Sequence, residues 1–523
     1  MNYTALALSS ALFLSACNSD SETNASQESE DGPITITFFD KNKTSESFDD
    51  QIANEITART GVDIEIQNAT GDAYELLSLQ LSGGEYADIV MMDLGSDLPE
   101  KYINSGALLP LNDLIEEKGS DIKEMYADIL DRTVHDDGKN YYLNNWYGDD
   151  DTPVDAFNIR FDYMVDIVGE ERARSSEPFS QDEFVSILKE WKEINPEVNG
   201  EASIPLTIRE NASGFEGMFG MKTYYENEGR LYHIARDPQY LKMRKFQNNL
   251  LNEGLLDPEW VTNNETLKNQ KLASGNVFAT QSAYWDTQGV NQANVAQGNE
   301  NQQYVAYKVY ANDIDPSKTT YGGRNSFGWD AIGITDNAEN VDAAFELINF
   351  LASREGQNLL LWGIEGEHYT VDEDGNFHPT DDTLTKFQED TEAATNETGI
   401  NRWTWFVNNQ GPTEETPNRL TEYISRQAFD SEMAFQNMEG TYWDNSYYSN
   451  LSPEPSSPLG LRHQSITDIV TEAVPQMVNA ASEQEVETIY NNMISRMEEA
   501  GLEEVEEYIN EKYQERLELW GMN

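Results

Sequence analysis

Residues 34–92 open with ITITFF (34–39), continue through VDIEI (62–66) and close with ADIVMM (87–92). Each run is short and rich in β-branched, aliphatic or aromatic residues, which predicts a β-strand. The stretches Ser47–Thr60 and Ala73–Leu81 between them carry apolar residues at helical spacing and are followed by glycines. The order strand, helix, strand, helix, strand predicts a parallel sheet with right-handed crossovers, and therefore an α/β fold.

The carboxyl ends of these predicted strands are the first place to expect a ligand. Ligands of open α/β sheets bind beyond that edge, and Asp40 and Asp93 follow the first and third runs. We therefore expect both carboxylates to contact ligand, with a helix cap or a solvated carboxylate as the alternative. No glycine-rich phosphate loop follows the strands, so a nucleotide site is not expected.

The N-terminus has the pattern of an export signal. An apolar stretch, Ala5–Leu14, leads into small residues and then Cys17, the only cysteine of the 523 residues. The run Leu14-Ser15-Ala16-Cys17 resembles the lipobox of bacterial lipoproteins, which predicts a signal peptide at 1–16 and lipidation of Cys17. The alternative is a plain secretion signal with a chance cysteine, and Met1–Ala5 lacks the usual basic residue.

Residues 17–32 are predicted to form a flexible tether behind that anchor. The segment after Cys17 holds one apolar residue, Ala25, and no basic residue, so it cannot bury enough surface to fold. No later run is long and apolar enough to span a bilayer. A single cysteine also excludes an intramolecular disulfide. We expect a lipid-anchored protein at the extracellular face of the cell membrane.

The formal net charge of −61, from 95 acidic and 34 basic residues, limits the partners. Such a surface repels the phosphates of nucleic acids and anionic lipid head groups, so neither is expected as a partner. It also disfavours a polyanionic ligand unless basic residues gather locally. A solvated surface suited to a salty or alkaline medium explains the acidity better than a specific cation-binding role.

Further along, short segments in a fixed order resemble the extracellular solute-binding proteins of ABC importers, in the branch that takes up oligosaccharides. These segments are Tyr86–Val90, Gly106–Ile115, Asp137–Tyr142, Asn158–Met164, Glu253–Glu259, Gly363–Tyr369 and Gly521. Each segment alone is weak evidence. Their shared order along nearly the whole chain identifies the family.

The resemblance implies a two-lobed fold of the periplasmic-binding-protein type, in which two α/β lobes joined by crossover strands close on a ligand. It also implies an oligosaccharide ligand and delivery to ABC permease subunits in the membrane. We expect a monomer with no enzymatic activity. The expected boundaries are 33–147 and 327–365 for the N-terminal lobe, 153–320 and 375–523 for the C-terminal lobe, and 148–152, 321–326 and 366–374 for the hinge crossovers.

Aromatic residues are the main candidates for holding a sugar, because flat rings match its apolar C–H faces. Trp146 lies in the expected first crossover, and Trp329 begins the returning strand. Trp285 follows a predicted strand, where the resembled family places a cleft aromatic. Trp405 alternates with Trp403, so a strand would point only one of them at the cleft, and we favour Trp405. Core packing is the alternative for each. The polar neighbours expected to assist are Tyr284, Asp286, Asn145 and Arg324.

A candidate calcium loop lies at Asn195–Ser203, with a glycine at its sixth position as in an EF-hand. Its expected ligands are Asn195, Glu197, Asn199, Glu201 and Ser203. Asparagine replaces the usual first aspartate and Leu206 stands where the closing glutamate belongs, so a plain turn is the alternative. No other cofactor is expected.

Two other functions stay open on sequence grounds. A surface glycoside hydrolase would also be exported and rich in tryptophan. It needs two carboxylates about 5 to 10 Å apart, a spacing that 95 acidic residues meet by chance. A receptor for a non-sugar solute such as a peptide is the other alternative. No nucleophile motif accompanies the five histidines, and we favour a binding protein.

Overall fold

The structure of the chain is a computed structural model that describes residues 32–135, 137–149, 152–210, 214–455 and 457–522. The predicted signal peptide, the lipidation site Cys17 and the tether up to residue 31 lie outside the described residues. Within the described part of the chain, no helix is both long and apolar enough to cross a membrane.

The first sheet contains the three strands predicted from residues 34–92. Its five strands lie in the order Val62–Asn68, Ile34–Asp40, Ile89–Asp93, Asp330–Ile334 and Leu143–Asn144. The first three run parallel, and the strand from residue 330 joins the third in antiparallel register. The predicted strand and helix order is confirmed. The carboxyl ends of the parallel strands therefore meet at one edge of the sheet.

The first helix begins later than its sequence pattern suggested. It spans Gln51–Thr60, because the Asp50 carboxylate accepts a hydrogen bond from the Ala53 amide at 2.8 Å and caps the first turn. Its buried side chains, Ile52 and Ile56, pack on the first sheet as their spacing predicted.

The second sheet is built from the middle of the chain. Its strands lie in the order Ile204–Thr207, Val277–Ala283, Asp155–Arg160 and Tyr304–Tyr307. Every residue of the strand Val277–Ala283 is buried, so helices and loops cover both faces of the sheet. The strands Val277–Ala283 and Asp155–Arg160 are antiparallel, so the last residue of the first, Ala283, pairs with the first residue of the second, Asp155. Both residues therefore lie at one edge of the sheet.

Helices surround both sheets. Those packed on the first sheet or its core are Gln51–Thr60, Ala73–Gly83, Leu98–Ser105, Asn112–Lys118, Ser120–Tyr126, Ile129–Arg132, Val341–Ala352, Arg354–Trp362, Asp381–Glu389, Thr391–Thr398 and Leu420–Ser425. The others are Phe161–Val168, Glu170–Ala173, Gln181–Ile194, Pro238–Asn252, Glu265–Ser274, Gln288–Ala296, Phe429–Asn437, Pro458–Val478, Glu483–Glu499 and Leu502–Leu519. The short 3-10 helices are Ile234–Arg236, Trp260–Thr262, Tyr284–Thr287, Pro316–Lys318 and Ser446–Tyr448.

Six two-stranded pairs complete the fold. They are Trp146–Tyr147 with Val407–Asn408, Gly322–Arg324 with Tyr442–Asp444, Tyr369–Val371 with Phe377–Pro379, Tyr224–Asn227 with Arg230–His233, Glu197–Val198 with Glu201–Ala202, and Phe179–Ser180 with Val309–Tyr310. The first two pairs are parallel, and Trp146–Tyr147 and Gly322–Arg324 lie next to the first and second crossovers.

The described residues form two large hydrophobic cores, one for each lobe. The first core draws on residues 36–147 and 327–420, and the second on residues 156–321 and 433–513. The placement of residues 375–420 in the C-terminal lobe is therefore wrong. The hairpin Tyr369–Pro379 packs on Trp362 in the first core. The centroid of the Trp362 ring lies 5.9 Å from that of Tyr369 and 5.5 Å from that of Phe377. The third crossover thus lies between residues 420 and 433, not at 366–374.

Trp405 does not face the cleft. It lies in a turn with Trp403, not in a strand, so the alternation argument does not apply and both indoles are buried. The Trp405 ring stacks on Phe38 with centroids 4.3 Å apart, and its Nε1 donates to the Asp40 carboxylate at 3.3 Å. Trp405 is a core residue of the first lobe.

A matched pair of tryptophan substitutions tests this assignment. Trp405→Ala removes a fully buried indole and should lower the free energy of unfolding by about 3–5 kcal/mol. Trp329→Ala removes an indole that is 51% exposed, and should cost less than about 1 kcal/mol. Urea titration followed by circular dichroism measures both losses. Equal losses would contradict the burial described here.

Candidate ligand site between the lobes

Asp40 lies at the cleft edge of the first sheet but does not face the cleft. Its side chain is fully buried. One carboxylate oxygen accepts from the Asn42 amide at 2.9 Å, and the other accepts from the Thr44 amide and the Trp405 indole, each at 3.3 Å. The predicted ligand role is therefore not supported, and Asp40 organises the turn after its strand, as in the capping alternative.

Asp93, in contrast, is open to solvent at this edge. Its side chain is 58% exposed and lies 3.8 Å from the Lys41 ammonium. One carboxylate oxygen accepts from the Gly95 amide at 2.7 Å, which holds the turn after the strand. The structure thus places Asp93 on the rim, where a ligand hydroxyl could reach its second oxygen.

A buried polar network lies directly beneath the rim. The Asp330 carboxylate is fully buried and pairs with Lys41 at 2.6 Å, while Asn42 donates to it at 2.8 Å. Burial raises the pKa of Asp330, and these two partners oppose the rise. Asn145 donates to Asp330 at 3.2 Å, and its side-chain oxygen accepts from the Trp329 amide at 3.1 Å and the Asp330 amide at 2.9 Å.

Asn145 is therefore a positioning residue. It is buried, so the predicted direct contact with ligand is not supported in this conformation. Its hydrogen bonds instead fix the backbone on which Trp329 stands.

Trp146 and Trp329 form the aromatic wall of the first lobe. Their rings stack with centroids 5.3 Å apart and an angle of 26° between planes. Gly328 makes this approach possible, because it has a φ of +69° and a Cβ there would lie 2.4 Å from the Trp146 carbonyl oxygen. Trp329 remains 51% exposed, so part of its ring is open to solvent and available to a ligand.

Tyr284 and Trp285 form a second wall, on the other lobe. They stand at the end of the strand Val277–Ala283, in edge-to-face contact with centroids 5.3 Å apart. Trp285 is 40% exposed, and the Arg324 guanidinium lies 5.4 Å from its ring. Asp286, by contrast, is held by Lys268 at 3.4 Å and faces its own lobe.

Arg419 connects the two walls. Its guanidinium lies 4.9 Å from the Trp146 ring, and its charge also reaches Tyr284. Burial and then the charge of Glu422 raise the pKa of Tyr284 to about 12, while the charges of Arg419 and Arg324 oppose that rise. The sequence analysis missed Arg419, because it lies more than 270 residues from Trp146 and carries no local motif.

We call these residues the interlobe aromatic cluster. Its members come from both lobes and from the crossovers that join them: Trp146, Trp329, Tyr284, Trp285, Arg324 and Arg419. Two exposed indole faces and two guanidinium groups are what this arrangement offers a ligand. Five of the six were predicted from the sequence as candidates.

The comparisons with known proteins agree with this architecture. Residues 41–358 match the model of the bacterial extracellular solute-binding protein family, which is more than half of the chain. The chain belongs to this family.

One curated relative of this solute-binding protein carries a ligand in its name. The fructooligosaccharide ABC transporter substrate-binding protein FusA of Streptococcus pneumoniae is 25% identical over 234 residues, or 40% of this chain. The match spans 41% of that relative's own length.

Solved structures share the fold of the solute-binding protein at low sequence identity. An extracellular solute-binding protein from Bifidobacterium longum subsp. infantis aligns with a TM-score of 0.71 at 17% identity, over 93% of this chain and 99% of its own. An HMO binding ABC-transporter associated solute binding protein from the same subspecies reaches 0.67 at 17% identity, over 92% and 99%. FusA in complex with kestose reaches 0.63 at 16% identity, over 92% and 99%. These alignments confirm the predicted two-lobed α/β fold.

The candidate calcium loop of the solute-binding protein forms a tight hairpin. Glu197–Val198 pairs with Glu201–Ala202 across Asn199 and Gly200, which both have positive φ values, as a two-residue turn requires. The side-chain amides of Asn195 and Asn199 donate to backbone carbonyls, and Asn276 donates to Glu201 at 3.4 Å.

This geometry fits the turn alternative better than a calcium site. Ser203 lies beyond the hairpin, where its amide donates to Pro196. Among the described residues, no group of three or more His, Cys, Asp or Glu side chains is placed to hold a metal ion.

Asp155, which the sequence analysis did not single out, is a buried carboxyl group next to the second wall. It begins the strand that pairs with Ala283, beside Tyr284. Burial raises the pKa of Asp155 to about 6. The charges of Glu216 and Asp286 add to the rise, and those of Arg209 and Lys268 oppose it.

The raised pKa of Asp155 predicts a pH dependence of stability. The folded protein keeps the proton up to about pH 6, whereas the unfolded chain loses it near pH 3.8. The contribution of Asp155 to the free energy of unfolding is therefore fully present below pH 3.8 and is lost as the pH rises through 6. Asp155→Asn should gain stability over wild type between those values and hold a gain of up to about 3 kcal/mol above pH 6.

Urea titrations from pH 3.5 to 8 measure this gain. Asp374→Asn, at an exposed hairpin turn, is the matched control and should follow the wild-type profile. A gain for Asp155→Asn that does not change with pH would contradict the assignment.

Proposed function

We propose that this protein captures an oligosaccharide between its lobes and delivers it to the permease of an ABC importer. The observation that carries the proposal is the interlobe aromatic cluster, with exposed tryptophan faces contributed by opposite lobes. A peptide or other solute is the less favoured alternative, because the walls offer broad, flat rings that suit the apolar faces of a sugar.

The chemistry of the cluster suits a sugar. The C–H faces of a pyranose or furanose ring are apolar and stack on indole rings, while its hydroxyls need hydrogen-bonding partners at the ring edge. Trp329 and Trp285 are 51% and 40% exposed, although burial of so large a ring is normally favourable. A ligand between them would remove both faces from water.

The mechanism is closure of two lobes without covalent chemistry. Three crossover segments join the two hydrophobic cores, between residues 147 and 156, 321 and 327, and 420 and 433, and such connections permit hinge motion while each lobe stays rigid. Ligand that contacts both walls binds the closed form more tightly than the open form and so shifts the population toward it. The permease then recognises the closed form.

The named relatives support this reading. FusA is described as the substrate-binding protein of a fructooligosaccharide ABC transporter, and another neighbour as an HMO binding solute-binding protein. Membership in an extracellular family also agrees with export. We propose that the protein acts as a monomer tethered through lipidated Cys17 to the membrane that holds its permease.

Removal of either tryptophan face should weaken sugar binding. Trp285→Ala and Trp329→Ala should each lower affinity about tenfold or more, because each removes a stacking surface from the centre of the site. Isothermal titration with fructo-, gluco- and galacturono-oligosaccharides of increasing length supplies the measurement. Trp260→Phe, a conservative change in the second core, is the control and should leave affinity unchanged.

The same titrations test the proposal itself. Unchanged affinity in both alanine variants would contradict the site. Appearance of shortened sugars during incubation would favour a hydrolase over a binding protein.

The anchor has its own test. Cys17→Ser should move the protein from the membrane fraction to the culture medium, because the thioether to lipid can no longer form. Mass spectrometry of the mature N-terminus identifies the modification in wild type. An unmodified cysteine there would remove the anchor and leave the binding proposal intact.

A further inference from the structure

We infer that the oligosaccharide taken by this cleft carries an anionic group, a carboxylate or a sulfate, which Arg419 binds. The inference rests on the proposed function and specifies its ligand. It runs against the overall charge of −61, so it depends on what gathers locally at the interlobe aromatic cluster.

The carboxylate that pairs with Arg419 is shared with a second arginine. The carboxylate is that of Glu422, and the second arginine is Arg426. Arg426 holds it closely, with two nitrogens at 2.6 and 2.9 Å from the same oxygen. The Arg419 Nε lies 3.8 Å from the other oxygen, which is too long for a hydrogen bond. One positive charge is therefore left without close compensation.

Arg419 also has an unused donor. Its Nε is buried and has no hydrogen-bond acceptor among the described residues, and the same holds for Nε1 of Trp146, on which Arg419 stacks. A buried N–H without an acceptor costs free energy. Both donors belong to the interlobe aromatic cluster, and the Arg419 side chain is 32% exposed. A ligand in the cleft can therefore reach the exposed part of the Arg419 guanidinium.

Three neighbouring groups do not compensate the charge of Arg419. The Tyr284 hydroxyl stays protonated, since its pKa is about 12. Asp330 pairs with Lys41 at 2.6 Å and Asp286 with Lys268 at 3.4 Å. Lys41 also lies 3.8 Å from Asp93, and Lys268 lies 3.1 Å from Glu265, so each lysine is shared by two carboxylates.

Closure strengthens the argument for an anion. When the lobes close, water leaves the cleft and the charge of Arg419 loses solvation. A neutral hydroxyl can accept one hydrogen bond from a guanidinium, but it does not balance the charge. A carboxylate or sulfate accepts hydrogen bonds from the planar guanidinium and neutralises its charge, which makes the closed state more favourable.

The test uses sugar pairs that differ only in charge. One pair is trigalacturonate and its fully methyl-esterified form, and the other is a sulfated carrageenan oligosaccharide and its desulfated form. Isothermal titration of the protein should show at least one charged member binding about ten- to hundredfold more tightly than its neutral counterpart. Added NaCl should weaken binding of the charged member and leave the neutral one nearly unchanged. The two pairs distinguish a carboxylate from a sulfate.

Variants assign the effect to Arg419. Arg419→Gln should remove the preference for the charged member, and Arg419→Lys should restore part of it, because the ammonium keeps the charge but not the planar fork. Arg59→Gln is the control. Arg59 lies in the last turn of the helix Gln51–Thr60 and pairs with Glu55 and Glu355. The strand that follows this helix starts at the edge of the first sheet opposite the cleft. Arg59→Gln should keep the wild-type preference.

The outcomes separate the two proposals. Neutral members that bind as tightly as charged ones would overturn the inference and leave the proposed function standing. A preference that persists in Arg419→Gln would overturn the role of Arg419. If no oligosaccharide of either charge binds, both proposals fail. The comparison of charged and neutral members with wild type decides the matter even where a variant does not fold.

Discussion

The buried carboxylate of Asp330 is the constraint on which the cleft depends. A charge removed from water must be paired and hydrogen-bonded or the fold loses several kcal/mol. Here the partners come from distant parts of the chain: Lys41 and Asn42 follow the first strand, and Asn145 stands at the first crossover. Satisfying one carboxylate therefore brings the first strand, the first crossover and the returning strand to one point. Trp329, the residue before Asp330, is held at the cleft as a result.

The two walls differ in how they are supported. The first wall rests on that polar network and on Gly328, whose missing side chain lets Trp329 approach Trp146. The second wall rests on a wholly buried strand, Val277–Ala283, which ends at Tyr284. A rigid base under each aromatic pair leaves the crossovers as the place where the lobes can move, which is the division of roles that closure requires.

The sequence predicted most of what depends on local pattern. The strands of residues 34–92 and their helices follow from β-branched runs and helical spacing. Trp146 was a candidate because of its place near a crossover, Trp329 because it begins a strand, and Trp285 because of the family resemblance. The failures are nonlocal. Trp405 was misplaced because its alternation suggested a strand, while packing on Phe38 holds it in a turn.

The third crossover and Arg419 show the same limit. The hairpin at 369–379 has the pattern of a connecting segment, and only its contacts with Trp362 show that it belongs to the first lobe. No spacing rule relates Arg419 to Trp146 or Tyr284, because their proximity exists only after both lobes have formed.

The position of the third crossover, between residues 420 and 433, has a mechanical consequence. Arg419 stands at its start and Arg426 within it, close to the axis about which lobes joined by crossovers rotate. Groups near an axis travel little during rotation, whereas groups farther out on either lobe sweep through a larger arc. A solute bound by Arg419 near the axis keeps that contact in both the open and the closed form. The strength of this contact therefore sets how long the solute stays bound to the open form. The contacts made far from the axis exist only after rotation and set how far the equilibrium favours the closed form. The residence time of the solute and the equilibrium between the open and closed forms are therefore governed by different residues of one cleft.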